Sequence, residues 1–240
     1  MYMCRFRWLL SLPLLLPSLP VLADGNLVDR VYDPYVQPLE TEIEWRTLRL
    51  RDTDDPSRDR QWLHRLGIGY GFSERFFGEI YGIGERRPDE SFELEAVELE
   101  GKWQLTEQGE YAADWGMLFE LEREFGANAW EASATLIAAR EWGRWVGTAN
   151  VAAIYEWGSG VVDESESEVR AQARYRWSPV FEPALELYAA EDLLGVGPVI
   201  VGAWRLSGGR QLRWEAGIIQ GLTDESPDQS LRLLLEYEFF

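Results

Sequence analysis

Soft metal ligands are nearly absent from this chain of 240 residues. It has one histidine, His64, one cysteine, Cys4, and three methionines, Met1, Met3 and Met117. So few imidazole and sulfur donors argue against a zinc, copper or iron–sulfur centre. A single cysteine gives no disulfide framework, so stability must come from packing and backbone pairing. Nothing after residue 23 approaches 18 consecutive apolar residues, so no transmembrane helix is expected. Positive charge is also scarce: 23 Lys and Arg face 42 Asp and Glu, a formal net charge of −19. That balance argues against nucleic acid or anionic lipid as a docking partner.

What is present begins with an address. "MYMCRFRWLLSLPLLLPSLPVLADG" puts Arg5 and Arg7 before an apolar run, with Val21 and Ala23 at the −3 and −1 positions of a cut before Asp24. This is the pattern of a secretory signal peptide over 1–23. A membrane anchor would need about 20 apolar residues, and Pro13, Pro17 and Pro20 interrupt this run. Cys4 is not at the cut, so a lipid-modified N-terminus is not expected. The next stretch, "DGNLVDRVYDPYVQP" (24–38), carries Val31, Tyr32, Tyr35 and Val36. It could fold back into a lumen, lie at the periplasmic mouth, or form a disordered tail.

From residue 39 to 240 the pattern is period two. In "RWVGTANVAAIYEWG" (144–158), Trp145, Gly147, Ala149, Val151, Ala153, Tyr155 and Trp157 share one face. In "SEVRAQARYRWS" (167–178), Val169, Ala171, Ala173, Tyr175 and Trp177 oppose Glu168, Arg170, Gln172, Arg174 and Arg176. Side chains alternate across a strand, so each segment has an apolar and a polar face. Trp145 to Tyr155 is roughly 25 Å of height at about 3.3 Å per residue and a tilt near 40°, the height of a lipid-facing band. Twelve tryptophans and ten tyrosines suit belts at two lipid–water boundaries.

The expected strands span about 39–51, 61–73, 75–85, 91–105, 111–123, 129–140, 144–157, 167–177, 180–190, 198–206, 211–222 and 229–240. In the fourth, Phe92, Leu94 and Ala96 are apolar on one parity and Val97, Leu99, Gly101, Trp103 and Leu105 on the other, which predicts a bulge near Ala96. Alternate connections are long and acidic, such as "RDTDDPSRDRQ" (51–61) and "GSGVVDESESE" (158–168), and the others are tight, such as "SP" (178–179). The last strand, "SLRLLLEYEFF", is aromatic and apolar on the face of Tyr237 and Phe239, with Phe240 one residue beyond that parity.

On the export signal, the alternating segments and this terminal strand, the chain resembles a Gram-negative outer-membrane β-barrel protein across 39–240. The resemblance implies an all-β, antiparallel up-and-down transmembrane β-barrel of about 12 strands in the outer membrane. It also implies contact with outer-membrane lipid and lipopolysaccharide, and handling by the barrel-assembly machinery through the C-terminal strand. A soluble sandwich or lipocalin-like barrel would alternate too, but would turn its apolar face inward.

An apolar exterior makes the polar face the interior. Glu42, Glu44, Arg46, Glu98, Glu100, Lys102, Glu120, Glu122, Arg170, Arg174, Arg176, Arg213, Glu215, Arg232, Glu236 and Glu238 are then expected to line a pore. Trp145, Tyr155, Trp157, Tyr175, Trp177, Tyr237 and Phe239 are the expected interface aromatics. Such a lumen is either a narrow cation-favouring passive channel, porin-like, for small hydrophilic solutes or cations, or a salt-bridged plug. In the second case the protein would act as a closed, surface-binding or envelope-stabilising barrel through its acidic loops. A third reading, a membrane-embedded lipid enzyme, has only His64 as a base, with Ser57 and Ser73 near it in sequence; no catalytic residues, cofactor or resident metal are assigned. "DTDD" (52–55) and "DESESE" (163–168) could hold Ca²⁺ or Mg²⁺ and bridge to lipopolysaccharide. The alternating glycines of "LGIGYG" (66–71) leave a bare inner face, giving room to a bulky side chain or a solute.

Overall fold

The computed structural model describes residues 28–88 and 90–240. The signal-peptide reading falls on 1–23, outside the described residues. Twelve strands run β1 (Thr41–Arg51), β2 (Trp62–Gly71), β3 (Phe76–Arg86), β4 (Glu93–Gln104), β5 (Asp114–Glu124), β6 (Ala129–Trp142), β7 (Trp145–Gly158), β8 (Glu164–Tyr175), β9 (Glu182–Ala189), β10 (Leu194–Arg205), β11 (Gln211–Gly221) and β12 (Gln229–Phe239). Each pairs antiparallel with its neighbours in sequence, and β12 closes on β1 from Thr41↔Phe239 to Arg51↔Gln229. Closure leaves no unpaired edge, which a wall in hydrocarbon requires because backbone groups there cannot reach water.

β12 shows why these sequences make this wall. Ser230, Arg232, Leu234, Glu236 and Glu238 are buried inward, while Leu231, Leu233, Leu235, Tyr237 and Phe239 are partly exposed outward. A one-residue slip would put three charges in lipid, so the register is strongly specified. β4 contains the expected irregularity. Ile83 pairs with Ala96 and Gly84 with Leu94, so Glu95 is the extra residue. That bulge keeps Leu94 outward with Val97 despite the parity change in the sequence. The turn between β6 and β7 is Gly143–Arg144, and Gly143 takes φ of 64°, a left-handed conformation suited to glycine.

Most strand boundaries differ from the sequence reading by one to four residues, and β8, β9 and β10 show why. β8 starts at Glu164 and β10 at Leu194, so both climb further into the outer loops than expected. β9 is short, and Phe181 only bridges back to Ser178. Part of the interior of β9–β11 is apolar: Val199, Val201 and Ile219 are buried there with Tyr188, Leu48 and Leu50. Both faces of β10 are therefore apolar, which hides its alternation.

Candidate functional site

The lumen is divided by segment 28–38. This segment starts midway up the barrel beside Leu48 and descends to the periplasmic mouth, where the Leu39 amide donates to the Gly71 carbonyl at 2.8 Å. Val28 and Val31 pack on the apolar sector of β1 and β9–β11. Tyr32 packs on Leu118 and Ile137 across the barrel. Apolar contact thus pins the segment on two opposite walls.

Polar contacts fix its height. The Asp29 carboxylate receives Arg46 and, at 3.1 Å, Arg170, while its carbonyl receives Arg232 and the Tyr188 hydroxyl. Arg30 pairs with Glu44 and, at 3.1 Å, with Glu236. The Tyr32 amide donates to Asn150 Oδ1 at 2.8 Å, and Asn150 Nδ2 donates back to the Tyr32 carbonyl at 2.9 Å. The Tyr32 hydroxyl donates to Glu100 at 2.9 Å, the Tyr35 hydroxyl to Asp114 at 2.7 Å, and the Val36 amide to Gln104 Oε1 at 2.9 Å. A backbone in a lumen must satisfy its groups as it would in a core, and β-strand side chains do so here.

The charges of the segment are matched to the wall. Burial would raise the Asp29 carboxyl, but Arg46, Arg65 and Arg170 outweigh it and hold it well below the usual carboxylate range. Burial acts likewise on Asp33, and Lys102, Arg213 and Arg30 hold it below its ordinary value. Burial and the bond to Asp114 push the Tyr35 hydroxyl up.

A cavity lies on either side of this segment. The outer one, about 750 Å³, reaches from Asp29 and Arg46 up to Arg58, Glu85 and Glu122. The inner one, about 220 Å³, lies between Tyr32 and Gln108 and is lined by Glu42, Glu79, Lys102 and Arg213. Both are walled mainly by charged side chains. Glu98 and Glu120 of the outer cavity and Glu100 of the inner one bring carboxylate oxygens within 4.8 Å of one another. These three could hold a hard cation, but each already accepts from the protein: Glu98 from Arg65, Glu100 from Tyr32 and Glu120 from Ser133.

The sequence-predicted residues sort as follows. Glu42, Glu44, Arg46, Glu98, Glu100, Lys102, Glu120, Glu122, Arg170, Arg174, Arg213, Glu215, Arg232, Glu236 and Glu238 all point into the barrel. Their placement is not that of free charges: Arg232 bonds Glu186 and Glu215 at 3.0 Å each, and Arg174 lies 3.4 Å from Glu182. Arg176 differs. It lies beyond the end of β8 and pairs with Glu141 at the periplasmic rim, because the strand ends at Tyr175. The bare glycine face of β2 is occupied by side chains: a Cβ on Gly67 would meet the Tyr81 ring at 2.4 Å, and one on Gly69 the Phe77 ring at 2.3 Å. Asp29, Arg30, Asn150 and Glu186 are central to the lumen knot and were not singled out by sequence reasoning. Asp29 and Arg30 sit in a segment with no period, and Glu186 in a strand that alternates poorly.

On the outside, Trp145 and Tyr175 meet edge to face at 5.0 Å, Tyr155 stacks on Trp157 at 5.6 Å, Tyr175 meets Trp177 at 6.3 Å and Tyr237 lies 5.7 Å from Phe239. His64 faces outward, stacked between Trp45 and Trp62 at 6.1 and 6.0 Å. Ser57 bonds Asp55 in an outer loop, and Ser73 accepts from Phe76 in a periplasmic turn, at the two ends of β2. In "DTDD", Asp52 receives Arg58 at 3.0 Å and the amides of Asp54 and Asp55, so that carboxylate folds the loop.

A closed antiparallel wall with an apolar, aromatic exterior and a charged interior defines a transmembrane β-barrel of the Gram-negative outer-membrane type. Solved structures share this fold. The outer membrane channel from Pseudomonas putida F1 matches with a TM-score of 0.57 and 15% identity, over 89% of this chain and 99% of that one. The KdgM porin in complex with disordered oligogalacturonate matches with a TM-score of 0.54 and 10% identity, over 83% and 98%. The beta domain of the Bordetella autotransporter BrkA matches with a TM-score of 0.50 and 12% identity, over 84% and 99%. No family model and no curated protein matches the chain.

Proposed function

We propose that the protein is a narrow passive channel of the outer membrane for small hydrophilic solutes or cations, held closed in this state by its own segment 28–38. The observation that carries this reading is the stack of two charged cavities along one axis, with that single extended segment between them. A barrel meant to be solid would fill its lumen from the wall with side chains, as small barrels do. Porin and channel neighbours of the same fold support the reading. The outward, aromatic setting of His64, away from Ser57 and Ser73, supports a transport role over a lipid-modifying one. The C-terminal strand would be the part the barrel-assembly machinery engages.

The test is single-channel recording from refolded residues 24–240 and from the same chain without 24–36. Small or rare steps in the first and large, steady steps in the second are expected. The density of ion pairs around Asp29 and Arg30 favours the runner-up, a permanently closed barrel acting through its acidic outer loops. A correctly folded truncated barrel that stays silent would establish that alternative.

A further inference from the structure

The acidic balance of the chain is locally inverted on the outside of β1–β3. Arg49 pairs with Trp62, and Trp62 pairs with Arg86, so these three form one row across neighbouring strands. All lie on the outward parity, opposite the lumen residues Leu48, Leu63 and Glu85. Arg51, one step higher on β1, and Arg60, in the loop that follows, complete a cluster at the outer rim. Arg49, Arg51, Arg60 and Arg86 are exposed, and among the described residues no carboxylate forms an ion pair with Arg49, Arg51 or Arg86. The Arg49 guanidinium lies over the Trp62 ring at 5.4 Å.

Three of these arginines, all but Arg86, border a pocket. A cavity of about 390 Å³ opens on this outer face, bounded by Arg49, Arg51, Arg60, Asp59 and Leu231. Below it the outward face turns apolar: Arg49 is opposite Leu231, then Thr47 opposite Leu233, Trp45 opposite Leu235 and Ile43 opposite Tyr237. Cations at the height of the outer headgroups, over a column of leucine and aromatic side chains, match an amphiphile with an anionic head and long acyl chains. Unpaired guanidiniums pointing toward lipid are costly unless an anion meets them. Arginine's planar fork suits phosphate.

We propose that this surface binds a phosphorylated, acylated glycolipid of the outer leaflet, the lipid portion of lipopolysaccharide, through direct guanidinium–phosphate contacts. The net charge of the chain argues against anionic lipid only as an average; at this patch the four arginines outnumber the two nearby carboxylates, Asp59 and Asp228. No divalent cation is needed as a bridge, unlike binding at the acidic loops. The proposal rests on the barrel and its orientation, not on whether the lumen conducts.

The test is native mass spectrometry of the detergent-folded full chain with purified diphosphorylated lipid A, its dephosphorylated form, or phosphatidylglycerol, each with and without EDTA. One diphosphorylated molecule should be retained, with or without EDTA. At about 1 kcal/mol for each arginine near an anionic surface, Arg49→Ala, Arg51→Ala and Arg86→Ala together should weaken binding about a hundredfold. Arg123→Ala, which removes an outward arginine lying over Trp130, should leave it unchanged. The corresponding triple lysine variant guards against a folding defect and should keep much of the binding. Equal retention of the dephosphorylated lipid or of phosphatidylglycerol would overturn the proposal. So would loss on adding EDTA, undiminished binding in a folded triple alanine variant, or an equal effect of Arg123→Ala.

Discussion

At the scale of single residues, the arginines of β8 show how neighbours in one row acquire different roles. Arg170 joins Glu168 and Asp29 and lies under the carbonyl of Arg30. Arg176 holds Glu141 at a partly exposed rim. Removing one partner from a buried pair leaves an uncompensated charge and costs about 3–5 kcal/mol, whereas a surface pair contributes about 1 kcal/mol or less. Arg170→Ala is therefore expected to lower unfolding stability in denaturant by several kcal/mol, and Arg176→Ala by less than about 1. Equal effects of the two would show that Arg170 does not anchor the segment. Asn150 offers a finer probe. Its amide satisfies both backbone groups of Tyr32, and each unsatisfied buried group costs about 1–3 kcal/mol. Asn150→Ala should loosen the segment without disturbing the wall. Removing Cys4 with residues 1–23 leaves no cysteine, so a Val31→Cys variant carries one thiol. Its labelling by a hydrophilic maleimide should quicken about tenfold or more when Asn150 is lost. An unchanged labelling rate would assign the seat to the ion pairs alone.

At the scale of elements, segment 28–38 and the strands differ in how legible they are. A strand between lipid and a charged lumen must alternate, so β1, β7, β8 and β12 can be read directly from their residues. The bulge at Glu95 was legible for the same reason, since two apolar parities in one strand need an extra residue between them. The start of β10 escaped because Gly195, Gly197, Val199 and Val201 are its lumen face, where β-strand charge would have met the valines of the segment. The segment itself has no period because its side chains radiate to every wall in turn. Only its partners reveal it, and those lie far away in sequence. One partner is a space rather than a group. A Cβ on Gly116 would come within 2.9 Å of the Pro34 Cβ and 3.0 Å of its Cα. Gly116→Val is therefore expected to push the segment from the β5 wall at a cost of about 1–3 kcal/mol. The readout is a rise in Val31→Cys labelling with the barrel still folded. A rate equal to that of the parent would mean that β5 yields instead of the segment.

At the scale of the whole molecule, charge is arranged in layers. The outward band is apolar, the outer rim of β1–β3 is basic, and the outer cavity holds more carboxylates than guanidiniums. Many of its acids are paired, but Glu131 has no arginine within ion-pair distance among the described residues, and Glu122 has only Arg65 at 3.9 Å. Unpaired carboxylates at the entrance of a narrow path raise the local concentration of cations and repel anions. If residues 24–36 are removed and the path conducts, ions must pass this cavity. The reversal potential across a tenfold KCl gradient should then favour K⁺. Glu122→Gln and Glu131→Gln together should move that potential toward zero. The effect must also depend on ionic strength. The screening length is about 10 Å at 0.1 M and about 3 Å at 1 M, so carboxylates on the wall govern the axis only in dilute salt. Selectivity should therefore be strong at 0.1 M and weak at 1 M in the truncated parent, and weak at both in the double variant. Selectivity that survives 1 M salt would place the selecting groups at a contact-distance constriction. The row of Glu44, Arg46 and Glu236 at the level of the segment, where Glu44 and Glu236 lose Arg30 with the deletion, would then be where the ions are sorted.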